Sequence, residues 1–312
     1  MISKLFVKDA RLRPIWRVFI YAMGVVFVAA LLFDAYDAVL GRQFGTDISF
    51  SDIVVGEIAT AVAVLVVSIV MRRYIDRRSV ASLGFAARGP WVRLFCLGIL
   101  FGAGMQAIAS GILWASGSAH VIGHADLEND VRLILVAIAI LLPAAFVEEM
   151  SFRGYVLQNL WEDWGLVPAI VVSSISFAPL HFLNPHWHEQ LLLTLAGLIT
   201  FALWACMSLV WTKSLWLALG AHVAWNLFEG PVFGLPLSGL GMPVPTILRE
   251  SVNGPQWLTG GSFGPEAGVI SLVALIVGFL VLRALYLKGA FADAADTREE
   301  YARARDAAMV QK

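Results

Sequence analysis

Uncharged, strongly apolar stretches alternate along this chain with short polar clusters. They cover residues 18–33, 58–71, 94–125, 133–147, 164–180, 191–212, 214–228 and 267–282. A helix that crosses the hydrocarbon core of a bilayer needs roughly 17–25 such residues. The longer runs reach that length, and the second does so over 53–71 when Glu57 is counted into it. The pattern predicts an all-α polytopic membrane protein with about eight transmembrane helices. Runs 133–147 and 214–228 are short: either they do not cross, or they continue through polar residues held inside a protein cavity. For the first, this takes in Glu148, Glu149 and Arg153; the second already contains His222 and Asn226.

Composition agrees. Apolar residues make up 59% of the 312 positions and charged ones 14%, with a mean hydropathy of +0.77; a soluble domain carries about 25% charged residues. Net charge is −1, which leaves no electrostatic footprint for nucleic acid. In an eight-helix arrangement, all but Arg42, Arg132 and Arg249 of the 22 Lys and Arg fall on one side. That bias predicts both termini in the cytoplasm, and the expected location is a bacterial plasma membrane. The basic N-terminus and first apolar stretch read as an uncleaved helix, since no small-residue cleavage site precedes Asp34-Ala35-Tyr36-Asp37. Cys96 and Cys206, both in apolar runs, read as core residues. Trp16, Trp91, Trp187 and Trp257, near span ends, read as interfacial anchors.

No repeat or low-complexity tract stands out. Two loops are expected outside: 117–130, with His120, His124, Asp126, Glu128 and Asp130 in contact with solvent, and the Gly- and Pro-rich 230–264. The tail from Asp293 reads as a short cytoplasmic helix or a disordered end. The chain divides into 1–130 (helices one to three), a core over 131–230 (helices four to seven), and 231–312 (external loop, last helix and tail).

Ionisable groups at membrane depth cost about 2.5–3.5 kcal/mol each on insertion scales, so Glu148, Glu149 and Arg153 need an explanation. Glu149 and Arg153 are four apart with the acid first, the favourable order for a helical ion pair. Glu148 points about 100° away and escapes that pairing. His222 and Asn226 share a face, as do Phe177 and His181, with Pro179 between the latter two to kink the helix. The polar cluster Trp161-Glu162-Asp163-Trp164-Gly165 reads as the turn of a helical hairpin. Glu148 and His181 are equidistant from it, each about 25 Å away at 1.5 Å per residue, so a carboxylate and an imidazole face each other at one depth.

A buried Glu beside a His is a candidate general base for activating water. Two His and a carboxylate (Glu148, His181, His222) are also the ligand set of a hydrolytic zinc site, and an Asn amide can donate to an oxyanion. All three roles converge on hydrolysis of an amide or ester, and no Ser, Cys or Asp pair at comparable positions suggests a covalent nucleophile. His186-x-His188-Glu189 lacks a further ligand and is not read as a metal site. Glu57 reads as a structural residue near the outer interface.

Glu148-Glu149-x-x-x-Arg153, Phe177-x-x-x-His181 and His222-x-x-x-Asn226, in this order on successive apolar segments, resemble the three motifs of the CPBP family, the CAAX-protease and bacteriocin-processing family. The segment Ser79-Val80-Ala81-Ser82-Leu83-Gly84-Phe85 is also similar to one found there. The resemblance implies an intramembrane endopeptidase acting on membrane-associated or prenylated peptides. In it, Glu148 activates water with His181 beside it, His222 and Asn226 stabilise the oxyanion, and Glu149, Arg153 and Phe177 support the site. It leaves open whether a divalent metal such as zinc, or none, takes part. Two other classes compete: a catalytically silent scaffold or bacteriocin-immunity factor of the same fold, and a proton-coupled transporter. The transporter would show ionisable pairs spread along a path and a repeat pattern.

Overall fold

The computed structural model describes residues 7–8, 11–40, 50–86, 89–125, 127–241 and 246–294. Most of the tail expected from Asp293, and Asp126, lie outside the described residues. A short hairpin of β1 (Val7–Lys8) and β2 (Arg11–Leu12) leads into α1 (Pro14–Val39). That helix opens on a proline, whose missing N–H costs nothing in a first turn. It turns Phe19, Met23, Val26 and Phe27 outward, apolar surface for which lipid is the matching solvent. Tyr21 faces inward, stacked on Tyr155 at 4.1 Å and within 3.2 Å of the Ser68 hydroxyl on α2 (Phe50–Val70).

After α2 a π turn (Met71–Ile75) and a 3-10 turn (Val80–Leu83) lead to α3 (Trp91–Ala115). Gly84 closes the 3-10 turn at φ 102°, and its carbonyl accepts the Leu215 N–H at 3.0 Å. The stretch like the family's segment before the third span therefore docks on the start of α8. Strand β3 (Ala119–His124) follows, then α4 (Leu127–Glu148). The chain stays helical from 127 to 164, through a π segment (Glu149–Val156) and α5 (Leu157–Trp164). Gly165, at φ 85°, makes the hairpin turn expected from the polar cluster, and α6 (Leu166–Phe177) returns. A 3-10 turn (Ala178–Leu183) with Pro179 near its start ends α6, the break that a proline with no N–H to donate imposes.

Helix α7 (Leu191–Thr212), α8 (Trp216–Leu227) with a π turn (Phe228–Val232), β4 (Leu248–Val252), α9 (Gln256–Thr259), a 3-10 turn (Pro265–Ala267) and α10 (Val269–Leu287) complete the described chain. Seven of its helical stretches are long and apolar enough to cross a membrane, close to the eight expected. The remaining run, 214–228, is α8. It is twelve residues long with Leu217–Trp225 all buried, a central element with little lipid-facing surface. Its closest neighbour is α3. A Cβ at Gly98 or Gly102 of α3 would overlap the Leu217 or Ala221 carbonyl, and one at Gly220 would overlap the Phe95 carbonyl. Small residues that let two backbones touch are the usual basis of tight packing in membranes.

The two ends of the bundle are built differently. At one end the loops expected outside pair as an antiparallel ribbon, β3 against β4, with Ala119 opposite Val252 and a bulge between Val121 and Gly123. At the other, Arg17 and Arg72, counted above among loop cations, are buried around Asp76. Arg17 lies 3.6 Å and Arg72 3.5 Å from it, Asn159 donates to it at 3.1 Å, and Arg72 also pairs with Glu162 at 2.6 Å. Cys206 is buried as expected, but Cys96 is exposed on the outer face of α3, where an apolar run faces lipid as readily as a core.

Asp76→Ala would remove the carboxylate shared by two buried guanidinium groups, leaving Arg72 to Glu162 and Arg17 to Asp163, and breaking a buried ion pair costs about 3–5 kcal/mol. The expected outcome is a loss of that order in the unfolding free energy of the detergent-solubilised chain, with a smaller loss for Asp76→Asn. Unchanged stability of the alanine variant would show that the network does not hold this end together.

Candidate active site

The site forms where the helical backbone leaves α geometry. Over 149–156 the hydrogen bonds run i to i+5, a widening found mostly at functional sites. Glu148 and Glu149 part there. Glu149 is fully buried, and Arg153 donates to it at 3.2 Å. Glu148 stays partly exposed and lines a cavity of about 370 Å³, within the usual range for small-molecule and peptide pockets. The ion pair expected from the i,i+4 spacing is present.

His222 binds this pair from the neighbouring helix. Its Nδ1 lies 2.9 Å from Glu149 Oε1, and its Nε2 lies 3.7 Å from Glu148 Oε2. With Nδ1–H donating to Glu149, the ring plane is set and Nε2 is turned toward Glu148 and the cavity. The sequence places the two glutamates and His222 in separate motifs, and only the packing of α4 against α8 joins them. Asn226, one turn further on, lines the same cavity.

Phe177 and Phe201 form an aromatic bed under these groups. The Arg153 guanidinium sits 4.5 Å above the Phe177 ring and 5.9 Å from Phe201. Phe177 lies 5.2 Å from the His181 ring, and Phe201 meets His222 edge-on at 4.8 Å. Phe177 thus packs against both an ion-pair partner and an imidazole. His181 is buried on the 3-10 turn after the Pro179 break, lines the cavity with Glu148, and has no hydrogen-bond partner at Nδ1 among the described residues. The equidistant placement expected across the hairpin therefore puts both groups on one cavity.

Among the described residues, no three His, Cys, Asp or Glu side chains are grouped so as to hold a metal ion. His181 stands on a separate turn from the helices that carry Glu148 and His222. Glu148, His181 and His222 line one cavity but are not grouped so as to hold a zinc ion, and no step below passes through one. His186 bonds Glu189 at 2.5 Å, away from this cavity.

Two further carboxylates line the cavity. Glu57, expected at the outer interface, reaches it from α2; a lone acid in an apolar span signals depth but not direction. Glu266, on the 3-10 turn before α10, also lines it and accepts the Ser238 hydroxyl. Burial pushes the Glu266 carboxyl up from the ordinary carboxylate range, against the pull of the Ser238 hydroxyl and the nearby His181 and His222. The sequence carries little sign of this role, since Glu266 stands in a Gly- and Pro-rich stretch with no periodic face. Beside it Glu229 is fully buried and accepts Gln106 at 2.5 Å.

Residues 130–228 match the family model described as Type II CAAX prenyl endopeptidase Rce1-like. No curated protein matches the chain.

Removing the cation of Glu149 and removing the charge of Glu148 are expected to act oppositely on stability. Arg153→Leu leaves Glu149 buried without its cation, and about 3–5 kcal/mol of stability is lost. Glu148→Gln removes a partly exposed charge whose Oε2 has no hydrogen-bond partner among the described residues, so stability is unchanged or rises, as when functional groups held at a cost to stability are replaced. Thermal unfolding of the two variants in one detergent checks the contrast.

Proposed function

We propose that this chain, whose residues 130–228 belong to the type II CAAX prenyl endopeptidase-like family, hydrolyses peptide bonds of membrane-associated substrates by a glutamate-activated water. The observation that carries the proposal is the pairing of His222 with both glutamates beside a cavity that also holds His181 and Asn226. Such an arrangement suits a general base with an oriented imidazole next to it.

In the proposed reaction a water between Glu148 and His181 loses a proton to the Glu148 carboxylate as its oxygen attacks the peptide carbonyl carbon. The oxygen of that carbonyl becomes an oxyanion. His222, as an imidazolium with Nδ1–H held on Glu149, donates its Nε2–H to it together with the Asn226 amide, and such donors contribute most when held in place before charge develops. Glu149 and Arg153 keep His222 in register, and the aromatic bed of Phe177 and Phe201 keeps bulk water away from the ion pair. The substrate is a peptide held at the membrane, of the prenylated CAAX kind or another membrane-bound segment.

Orientation belongs to the same proposal. The end with Arg17, Arg72 and Arg78 faces the cytoplasm of a bacterial plasma membrane, and the β3–β4 ribbon faces outward. The positive-charge bias supports it, as does the pairing of the two expected external loops at one end.

The test is cleavage of fluorescence-quenched peptides, prenylated and unprenylated, by the full chain in proteoliposomes. Glu148→Gln and His222→Ala are each expected to lower the rate by at least about 10²-fold, the lower range for a lost acid–base group. Wild-type cleavage no faster than that of either variant would end the hydrolase proposal and favour a silent scaffold. Exhaustive chelation, followed by elemental analysis, is expected to leave the rate unchanged; a loss restored by zinc would require a metal mechanism instead.

A further inference from the structure

The reaction proposed above has a base, an oriented water and oxyanion donors, but no group assigned to the leaving nitrogen. An amide nitrogen leaves badly unless it is protonated as the C–N bond breaks. Glu266 is placed to supply that proton. It lies outside the family-matched segment, on the Pro265–Ala267 turn. That turn packs against α7 and α10, whereas Glu148 comes from α4, packed against α2 and α8. The two carboxylates therefore reach one cavity from different walls.

The turn is held in three ways. Gly197 of α7 lies so close that a Cβ there would overlap the Glu266 carbonyl oxygen. The Ser271 hydroxyl of α10 donates to the Pro265 carbonyl at 2.6 Å. Ser238 donates its hydroxyl to the Glu266 carboxyl, and its own carbonyl accepts the Asn184 amide at 3.0 Å. Asn184 caps the 3-10 turn that carries His181. Glu266 and His181 are thus tied into one unit through Asn184 and Ser238.

Titratable neighbours are several. His181, His222, Glu148 and Glu57 line the cavity with Glu266, and Glu229 also acts on it electrostatically. A half-buried carboxyl on a cavity that it shares with other carboxyls suits a group that enters the reaction holding a proton.

We infer that Glu266 is a further catalytic residue, the acid that protonates the leaving amine; the inference rests on the hydrolase reading above. Water attack puts one proton on Glu148 and bonds oxygen to the carbonyl carbon. Collapse of the tetrahedral intermediate breaks the C–N bond, and the Glu266 O–H proton passes to nitrogen. The product acid then returns its proton to Glu266, and Glu148 passes its own to the departing amine. The sum is peptide and water to carboxylate and ammonium, with both residues restored.

The experiment uses the full chain in proteoliposomes and two probes that differ only at the cleaved bond, a peptide amide and a nitrophenyl ester, whose leaving group departs without a proton. Glu266→Gln is expected to slow amide cleavage on the order of 10²-fold and to leave ester cleavage within about threefold, while Glu266→Asp keeps part of the amide activity. An equal loss on both probes, or none on the amide, overturns the proposal while the hydrolase reading stands if Glu148→Gln is inactive. A wild-type chain that cleaves neither probe overturns both. Independently of turnover, the infrared difference between wild type and Glu266→Gln at pH 7 should contain a carboxylic-acid C=O band. Its absence overturns the proposal whatever the rates.

Discussion

A carboxylate sealed inside a membrane bundle must be neutralised where it stands, and the structure is arranged around the way Glu149 meets that demand. Arg153 supplies the cation from the same helix, and His222 supplies a second hydrogen bond from α8. Because both partners are needed, α4 and α8 cannot slide or rotate independently. The π segment 149–156 lets one backbone turn bury Glu149 while leaving its neighbour Glu148 on the cavity. Leaving a buried charge without a partner would cost several kcal/mol, so the register of the site and the stability of the bundle are two views of one interaction.

The remaining packing serves that register. Gly98, Gly102 and Gly220 bring the backbones of α3 and α8 into contact, which sets how far His222 and Asn226 reach toward Glu148. Phe177 and Phe201 fill the space below the Arg153 guanidinium and the imidazoles, so the chemistry-bearing groups rest on rigid rings. At one end the buried Asp76 network fastens α1 to the π segment and α5; at the other the β3–β4 ribbon gathers the loops. Between them lies a cavity with carboxylates on three walls and imidazoles on two. That is more acid–base capacity than one base-catalysed step uses, and it gives Glu266 its interest.

Much of this was legible along the chain because it is governed by local rules. Span lengths follow from runs of apolar residues, and the Glu149–Arg153 pair follows from a spacing of four. The meeting of Glu148 and His181 follows from their equal distance to a turn marked by Gly165. The break after Phe177 follows from Pro179. The contact of Gly98 and Gly102 with α8 is of another kind, because two glycines four apart do not say which helix they will meet.

What the sequence by itself determined is therefore the class of protein, the faces of its helices and the residues that need polar surroundings at depth. Tertiary structure alone decided the partners. It bonded His222 to Glu149, drew Arg17 and Arg72 from an apparent loop into the core, turned Glu57 and Glu266 onto the cavity, exposed Cys96 and enclosed α8 within the bundle. The physical reason is common to all of these. Periodicity and length fix how a segment folds on itself, whereas neutralising a buried charge and closing a backbone-to-backbone contact depend on atoms far along the chain, and only docking of the helices brings those together.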